Sequence, residues 1–376
     1  MLKILTVIGA RPQFIKAATI SRYIKNHNKD LNSENDNYIS EKILHTGQHY
    51  DENMSKTFFK ELDIPQPDIQ LSISNLQHSL MTSRMLESIY KVLDSEHPDL
   101  VLLYGDTNST LAGALASVQN KIPTAHVESG LRSKNHLMPE EINRVLTDRF
   151  ASLLFCPTDT ALNNLSEEGF PFSSIDKDKQ VIKFSGDVMF DALMHYKEIA
   201  RKSKILSELS IDNKKLITCT LHRESNTGDD NYLNALFTSL NDMPEEYTIV
   251  FPVHPRLNEW ISANKKLHSG SRIVFTKPLK YLEMQKLLLS SDFVFTDSGG
   301  LQKEAYLHKV PCITLRSETE WKETVSSGWN ILANPLVNNL SEYTNPANWR
   351  FKSHDNFYGD GNAAKVIVDT IIENYC

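Results

Sequence analysis

Apolar and polar positions alternate along this chain in blocks rather than residue by residue. Leu2–Ile8 is apolar almost throughout and runs into Gly9-Ala10-Arg11-Pro12. Pro12 suits the first turn of a helix, and Phe14, Ile15, Ala18 and Ile20 then recur at helical spacing. Lys25–Glu41 is polar and rich in Asn, which reads as a surface loop, and Lys42–His45 is a short second strand. Leu100–Tyr104 is a strand ending in Gly105-Asp106-Thr107-Asn108-Ser109-Thr110, followed by a small-residue helix of Leu111, Ala112, Ala114, Leu115 and Ala116. Thr124–Val127 is the next strand and stops at Glu128-Ser129-Gly130. The pattern restarts after Gly186, with strands expected at Leu216–Leu221, Thr248–Val253, Arg272–Phe275, Phe293–Thr296 and Cys312–Leu315. Near-continuous apolar strands separated by helices predict parallel sheets covered on both faces.

The expected fold is therefore α/β, with two Rossmann-like doubly wound domains facing a cleft. With a linker near 185–195, residues 1–188 form the first domain and 189–358 the second. A C-terminal helix within 359–376, carrying Ala364, Val366, Ile367 and Ile371, is expected to pack back on the first. In such folds ligands bind beyond the carboxyl ends of the strands. The polar clusters of this sequence fall at that end.

Composition narrows the partners. The chain has 376 residues and a net charge of −7, which argues against a nucleic-acid footprint, since that needs clustered positive charge. No run approaches the ~20 apolar residues of a membrane span. Met1–Gly9 leads into a glycine turn rather than a signal-peptide pattern. Cys156, Cys219, Cys312 and Cys376 are scattered, as reduced thiols in the cytoplasm would be, and no His/Cys cluster has zinc spacing.

The candidate chemistry sits at strand ends. Asp297-Ser298-Gly299-Gly300 joins a buried strand to a helix, where backbone N–H groups and the helix dipole suit a phosphate. A plain serine helix cap accounts for the same residues. Glu304, about one and a half turns in, is within reach of ribose hydroxyls. Arg11 and Lys16 flank a helix start and suit phosphate, or lie on a solvated helix face. Asp106 follows a strand, as an acid or as a helix cap. Glu128 closes an apolar strand, where an acid is costly unless used or paired with Arg132 or Arg144. Glu140 and Glu141 follow Pro139 at a helix start, where either simply complements the dipole. His222-Arg223 follows a strand and offers a proton-transfer group or a phosphate contact, and a structural histidine fits equally. The same holds for His45, His49, His126 and His254.

Taken in order, the motifs resemble a known family. They are Gly9-Ala10-Arg11-Pro12-Gln13-Phe14-Ile15-Lys16, His45-Thr46-Gly47-Gln48-His49, Gly105-Asp106-Thr107 and Val127-Glu128-Ser129-Gly130-Leu131-Arg132. They continue with Pro139-Glu140-Glu141-Ile142-Asn143-Arg144, Leu221-His222-Arg223, Thr296-Asp297-Ser298-Gly299-Gly300-Leu301-Gln302-Lys303-Glu304 and Tyr358-Gly359-Asp360-Gly361. This set resembles the non-hydrolysing bacterial UDP-N-acetylglucosamine 2-epimerases over nearly the whole chain. The resemblance implies the glycosyltransferase-B arrangement, a cytoplasmic homodimer, a UDP-sugar substrate, and neither metal nor cofactor. It implies inversion at carbon 2 by anti elimination of UDP and re-addition, supplying surface-polysaccharide precursors. By motif, Asp106, Glu128 and Glu140 are then the proton-transfer acids and His222 assists at the diphosphate. Arg11, Lys16, Arg223, Ser298, Gly299, Gly300 and Glu304 hold UDP.

Departures from the family pattern bear on the sugar. Arg223-Glu224-Ser225-Asn226 lacks a Glu two residues after the Arg, and Thr319-Glu320-Trp321-Lys322-Glu323 replaces Thr-Glu-Arg-Pro-Glu. Gly9-Ala10-Arg11-Pro12-Gln13, the paired His45 and His49 stretch and Thr319-Glu320-Trp321 look more like the branch acting on UDP-2,3-diacetamido-2,3-dideoxyglucuronate, so both sugars stand as candidates. A regulatory second UDP-GlcNAc site would use residues like Gln48 and Arg84, and Asp51 departs from a Gln often found there. A sugar transferase of the same architecture, a hydrolysing relative and a non-catalytic UDP-sugar sensor are the competing functions. Three acids in the first half favour the epimerase over the transferase. Gly-Ala-Arg-Pro-Gln in place of Gly-Thr-Arg-Ala-Asp disfavours the hydrolase.

Overall fold

The computed structural model describes residues 1–376 except 33, 36, 49–58, 60–61, 75 and 269–271. The chain divides into two compact units: Met1–Met194 with Asn356–Cys376, and His195–Asp355. The first division falls inside the helix Val188–Arg201, past the expected boundary at 188, and the second lies just before the expected one at 358.

Among the described residues, the first unit holds seven parallel strands in the order β3-β2-β1-β4-β5-β6-β7. They are β1 (Leu2–Ile8), β2 (Ile39–His45), β3 (Ile69–Gln70), β4 (Leu100–Tyr104), β5 (Thr124–Val127), β6 (Leu153–Cys156) and β7 (Val181–Phe184). The second unit repeats the scheme with six, ordered β10-β9-β8-β11-β12-β13. These are β8 (Lys215–Thr220), β9 (Tyr247–Pro252), β10 (Ile273–Thr276), β11 (Phe293–Thr296), β12 (Cys312–Thr314) and β13 (Asn330–Leu332). Both orders are doubly wound, and each reverses direction once, between β1 and β4 and between β8 and β11. Those reversal points are where Rossmann-like units bind ligands.

The apolar runs form strands because both sheet faces are covered. Leu100–Tyr104 is buried at all five positions. Leu5, Val7, Val101 and Leu103 pack with Met85, Ile89 and Leu93 of the helix His78–Glu96. Ala112, Ala114 and Ala116 of the helix Asn108–Gln119 join them, and their small side chains suit close helix–sheet contact. In the second unit Ile217, Ile249, Phe251, Phe295 and Ile313 pack with Leu233, Leu236 and Phe237 of the helix Asp230–Asn241. Each fully buried aliphatic side chain stabilises its unit by about 1.5–3 kcal/mol.

Lys25–Glu41 is not all loop. The first helix runs from Arg11 to His27, and β2 already begins at Ile39. Lys25 and His27 occupy the last turn of that helix, where positive charge complements the dipole. The final helix, Ala363–Tyr375, belongs to the first unit and packs on the first helix. Its opening N–H groups, Ala363 and Ala364, donate to the Asp191 carboxylate at 3.0 and 2.8 Å. No helix of the described residues is long and apolar enough to cross a membrane.

Candidate active site

Strand register brings the first unit's acids together. β4 and β5 pair Tyr104 with Val127, so Gly105-Asp106 and Glu128 leave the sheet side by side. β1 lies on the other flank of β4 and delivers the helix that carries Arg11 and Lys16. Lys16 pairs with Glu128, and both side chains are about nine-tenths buried, at 9% and 11% exposure. Arg144 pairs with Asp106 and, at 3.0 Å, with Glu141. Two cations thus face three carboxylates at the ends of β4 and β5.

The turns are shaped to allow this. Gly105 has φ +61°, and a Cβ there would lie 3.2 Å from Glu128 Oε2 and 3.6 Å from Lys16 Nζ. Glu128 itself has φ +75°. A left-handed non-glycine residue costs on the order of 1–2 kcal/mol and marks positions where the surroundings impose the conformation. Here the N–H groups of Glu128 and Ser129 both donate to the Phe155 carbonyl, at 3.1 and 3.0 Å, which holds the turn. Gln13 ties the β1 and β4 turns together. Its Oε1 accepts from the N–H of Gly9 and Ala10 at 2.8 and 2.9 Å, and its Nε2 donates to the Tyr104 carbonyl at 2.7 Å.

A second buried network lies beneath. His126 bonds Asp148 through Nδ1 and the Gly105 carbonyl through Nε2, each at 2.7 Å. Asp148 also accepts from the Gly130 N–H and from Arg132. Burial alone would raise the Asp148 pKa, but His126 and Arg132 hold it below the usual carboxylate range. Arg132 is therefore committed to Asp148 and Glu168, and Glu128 takes Lys16 as its partner instead.

Glu140 and Glu141 separate. Glu141 is 1% exposed and accepts from the N–H of Ser133 and Lys134 at 2.8 and 2.9 Å. Burial opposes its ionisation, yet these donors and Arg144 keep its pKa low. Glu140 is exposed at the second position of the helix Pro139–Phe150 and makes no hydrogen bond or ion pair with the described residues. Asp106 does not cap the following helix; Thr107 does.

In the second unit, β8 and β11 pair Thr220 with Thr296, which brings Leu221-His222-Arg223 beside Asp297-Ser298. Asp297 is fully buried. It accepts from His222 Nδ1 at 2.6 Å, from the Arg223 N–H at 2.9 Å and from Asn226 Nδ2 at 3.1 Å. Burial would raise its pKa, but His222 and these donors lower it instead. His222 is 46% exposed and is oriented by the acid behind it. Ser298 caps the helix Gly299–Leu307 by accepting from the Leu301 N–H at 3.3 Å. A Cβ on Gly299 would meet Glu320 Oε1 at 2.2 Å, so any side chain at this helix start would displace the Glu320 carboxylate. Glu320 is itself held by Arg316 at 3.0 Å. Glu304 lies buried further along the helix and accepts from Gln285 Nε2 at 2.6 Å.

Of the other histidines, His45 is buried against Phe14, and burial pushes its pKa down to about 4. His254 sits near His222, with its pKa lowered by burial and by Arg256. Gln48 accepts from Ser109, and Arg84 lies 3.9 Å from Glu87. His49 and Asp51 lie outside the described residues. No cluster of three or more His, Cys, Asp or Glu among the described residues is arranged to hold a metal.

Sequence reasoning assigned no role to Gln13, Asp148 or Asp297. Asp297 carried the signal that singled out Glu128, an acid closing an apolar strand. Asp148 gave none, because His126 and Arg132 lie in other elements, and neither did the bond from Gln13 to the Tyr104 carbonyl.

The profile of the UDP-N-acetylglucosamine 2-epimerase family matches residues 31–372. This chain belongs to that family. A UDP-N-acetylglucosamine 2-epimerase homolog of Methanococcus maripaludis is 43% identical over 98% of this chain and 99% of its own length. The UDP-2,3-diacetamido-2,3-dideoxy-D-glucuronate 2-epimerase of Pseudomonas aeruginosa is 42% identical, with the same coverage of both chains. The crystal structure of Methanocaldococcus jannaschii UDP-GlcNAc 2-epimerase in complex with UDP-GlcNAc and UDP matches with TM-score 0.82 at 38% identity, covering 99% of each chain. The family, its isomerase class and the α/β fold of two Rossmann-like units are those the motifs implied.

Proposed function

We propose that this protein inverts carbon 2 of a UDP-linked N-acetyl amino sugar, in the direction of UDP-GlcNAc to UDP-ManNAc chemistry. The observation that carries the reading is the pair Asp106 and Glu128, side by side at adjacent strand ends and each beside a cation. Carbon 2 carries a weakly acidic hydrogen, so its removal needs a placed carboxylate. One acid takes that proton while the carbon 1–oxygen bond breaks and its electron pair leaves with UDP, giving a glycal. An acid then returns a proton to the opposite face of carbon 2, and UDP re-forms the bond to carbon 1. Atoms and charge balance, and the net change is one stereocentre. Asp106, Glu128 and Glu140 are the candidate acids.

The departing diphosphate needs positive charge and fixed donors. Arg11, Lys16, Arg223 and the Ser298-Gly299-Gly300 helix start supply them, with His222 held on Asp297, and Glu304 takes the ribose. A homodimer in the cytoplasm, making precursors for surface polysaccharide, completes the reading. UDP-2,3-diacetamido-2,3-dideoxyglucuronate is the second candidate substrate. It is favoured by the 42% identical relative and by Trp321, buried beneath Lys303 where other members carry Arg.

NMR of the purified protein with each UDP-sugar tests the proposal. Conversion of one of them to its carbon 2 epimer is expected. Release of free sugar and UDP without epimer, or transfer to an added acceptor, would refute it.

A further inference from the structure

Two helices of the second unit carry a chain of side chains that the reaction above leaves unused. Gln285 lies in the helix Tyr281–Leu289 and is 2% exposed. A buried carboxamide needs partners on both ends. Its Nε2 is 2.6 Å from Glu304 Oε2, and its Oε1 is 2.7 Å from His308 Nε2. Donor and acceptor roles follow from the chemistry. An ionised Glu304 only accepts, so the amide turns its NH₂ toward it. The amide oxygen must then accept, so His308 Nε2 carries hydrogen.

His308 fits that assignment. Burial, with Lys197 and Arg201 nearby, pushes its pKa down to about 4, so the ring is neutral with one hydrogen. Its Nδ1 is buried without a hydrogen-bond partner among the described residues. A ring that leaves one nitrogen unsatisfied is placed by the bond at the other.

We infer that Gln285, held by His308, is a positioning residue that sets the carboxylate plane of Glu304 for the ribose hydroxyls of a UDP ligand. This rests on the reading of Glu304 as the ribose-binding acid. A glutamate has three rotatable side-chain bonds, and two vicinal hydroxyls are met together only when its carboxylate is turned to them. One short hydrogen bond from a buried amide removes that freedom before the ligand arrives.

The test compares UDP with 2′,3′-dideoxy-UDP by titration calorimetry on the full-length protein. Wild type is expected to bind UDP at least about tenfold more tightly, as hydrogen bonds to a charged group require. In Gln285→Leu that ratio should fall toward one, through weaker UDP binding and unchanged dideoxy-UDP binding. His308→Phe, which keeps a ring but removes the donor, should lower the ratio part of the way. Circular dichroism confirms folding, and Gln285→Met replaces the leucine variant if that one does not fold. A full wild-type ratio in the folded variants would overturn the role of Gln285 while leaving Glu304 on the ribose. A wild-type ratio near one would overturn the ribose reading and this inference with it.

Discussion

The two units solve one problem in different ways. Each must hold carboxylates at the ends of buried parallel strands, where desolvation penalises charge. At Glu128 and Asp106 the first unit uses side-chain cations, Lys16 and Arg144, and only Glu141 joins backbone N–H donors to its cation. The second uses fixed dipoles. Asp297 takes backbone N–H groups and Asn226, and a titratable side chain, His222, also bonds it. Ion pairs can be re-sorted when an anionic ligand arrives, whereas backbone donors cannot move. Under the proposed function, the first unit's acids are suited to transferring protons and the second unit's fixed donors to holding a diphosphate in place.

The largest effect should come from the first unit's acids. Glu128→Gln and Asp106→Asn are each expected to lower turnover by about 10²–10⁴, while UDP affinity in calorimetry stays near wild type. Wild-type rates in both variants would remove these acids from the chemistry. Gly299→Val in the second unit should do the opposite. Its branched side chain would crowd Glu320 at the helix start, so UDP binding should weaken on the order of tenfold or more. A Kd equal to wild type would break the division of labour between the units.

Asp191 sharpens the comparison because it has backbone donors but lies near other acids instead of a cation. Burial, then Asp187 and Asp360, raise its pKa to about 6, against the opposing N–H groups of Ala363 and Ala364. The folded protein thus binds a proton more tightly than the unfolded chain, so stability should fall as pH rises from about 4 to about 6. The loss is on the order of 3 kcal/mol. Asp191→Asn should flatten that slope in urea melts recorded across this pH window. An unchanged slope would show that Asp191 does not carry it. The smallest expected effect is Gly105→Ala, where a positive φ and the nearby Glu128 carboxylate should cost about 1 kcal/mol in chemical denaturation.

Much of this was legible in the sequence, and the reasons are local. β1, β4, β5 and β11 were readable to the residue, because mostly apolar runs stop abruptly at Gly or an acid. β3, β6, β7 and β13 escaped. They are two to four residues long, and β7 is exposed or half-buried throughout, so no apolar run announces it. Residues that act through their own strand end, such as Glu128 and Ser298, stood out. Partnerships did not. Lys16 with Glu128 spans 112 positions, and His126 with Asp148 depends on β5 meeting the helix Pro139–Phe150. Such pairings follow from sheet order, which a linear pattern does not contain.

Solvent exchange reaches the central claim most directly. The protein incubated with the UDP-sugar in heavy water should place deuterium at carbon 2 of both epimers, with the carbon 1–UDP linkage intact at the end of the reaction. Inversion with the original hydrogen retained at carbon 2 would mean that no side chain removes that proton, and would contradict the roles given to Asp106 and Glu128.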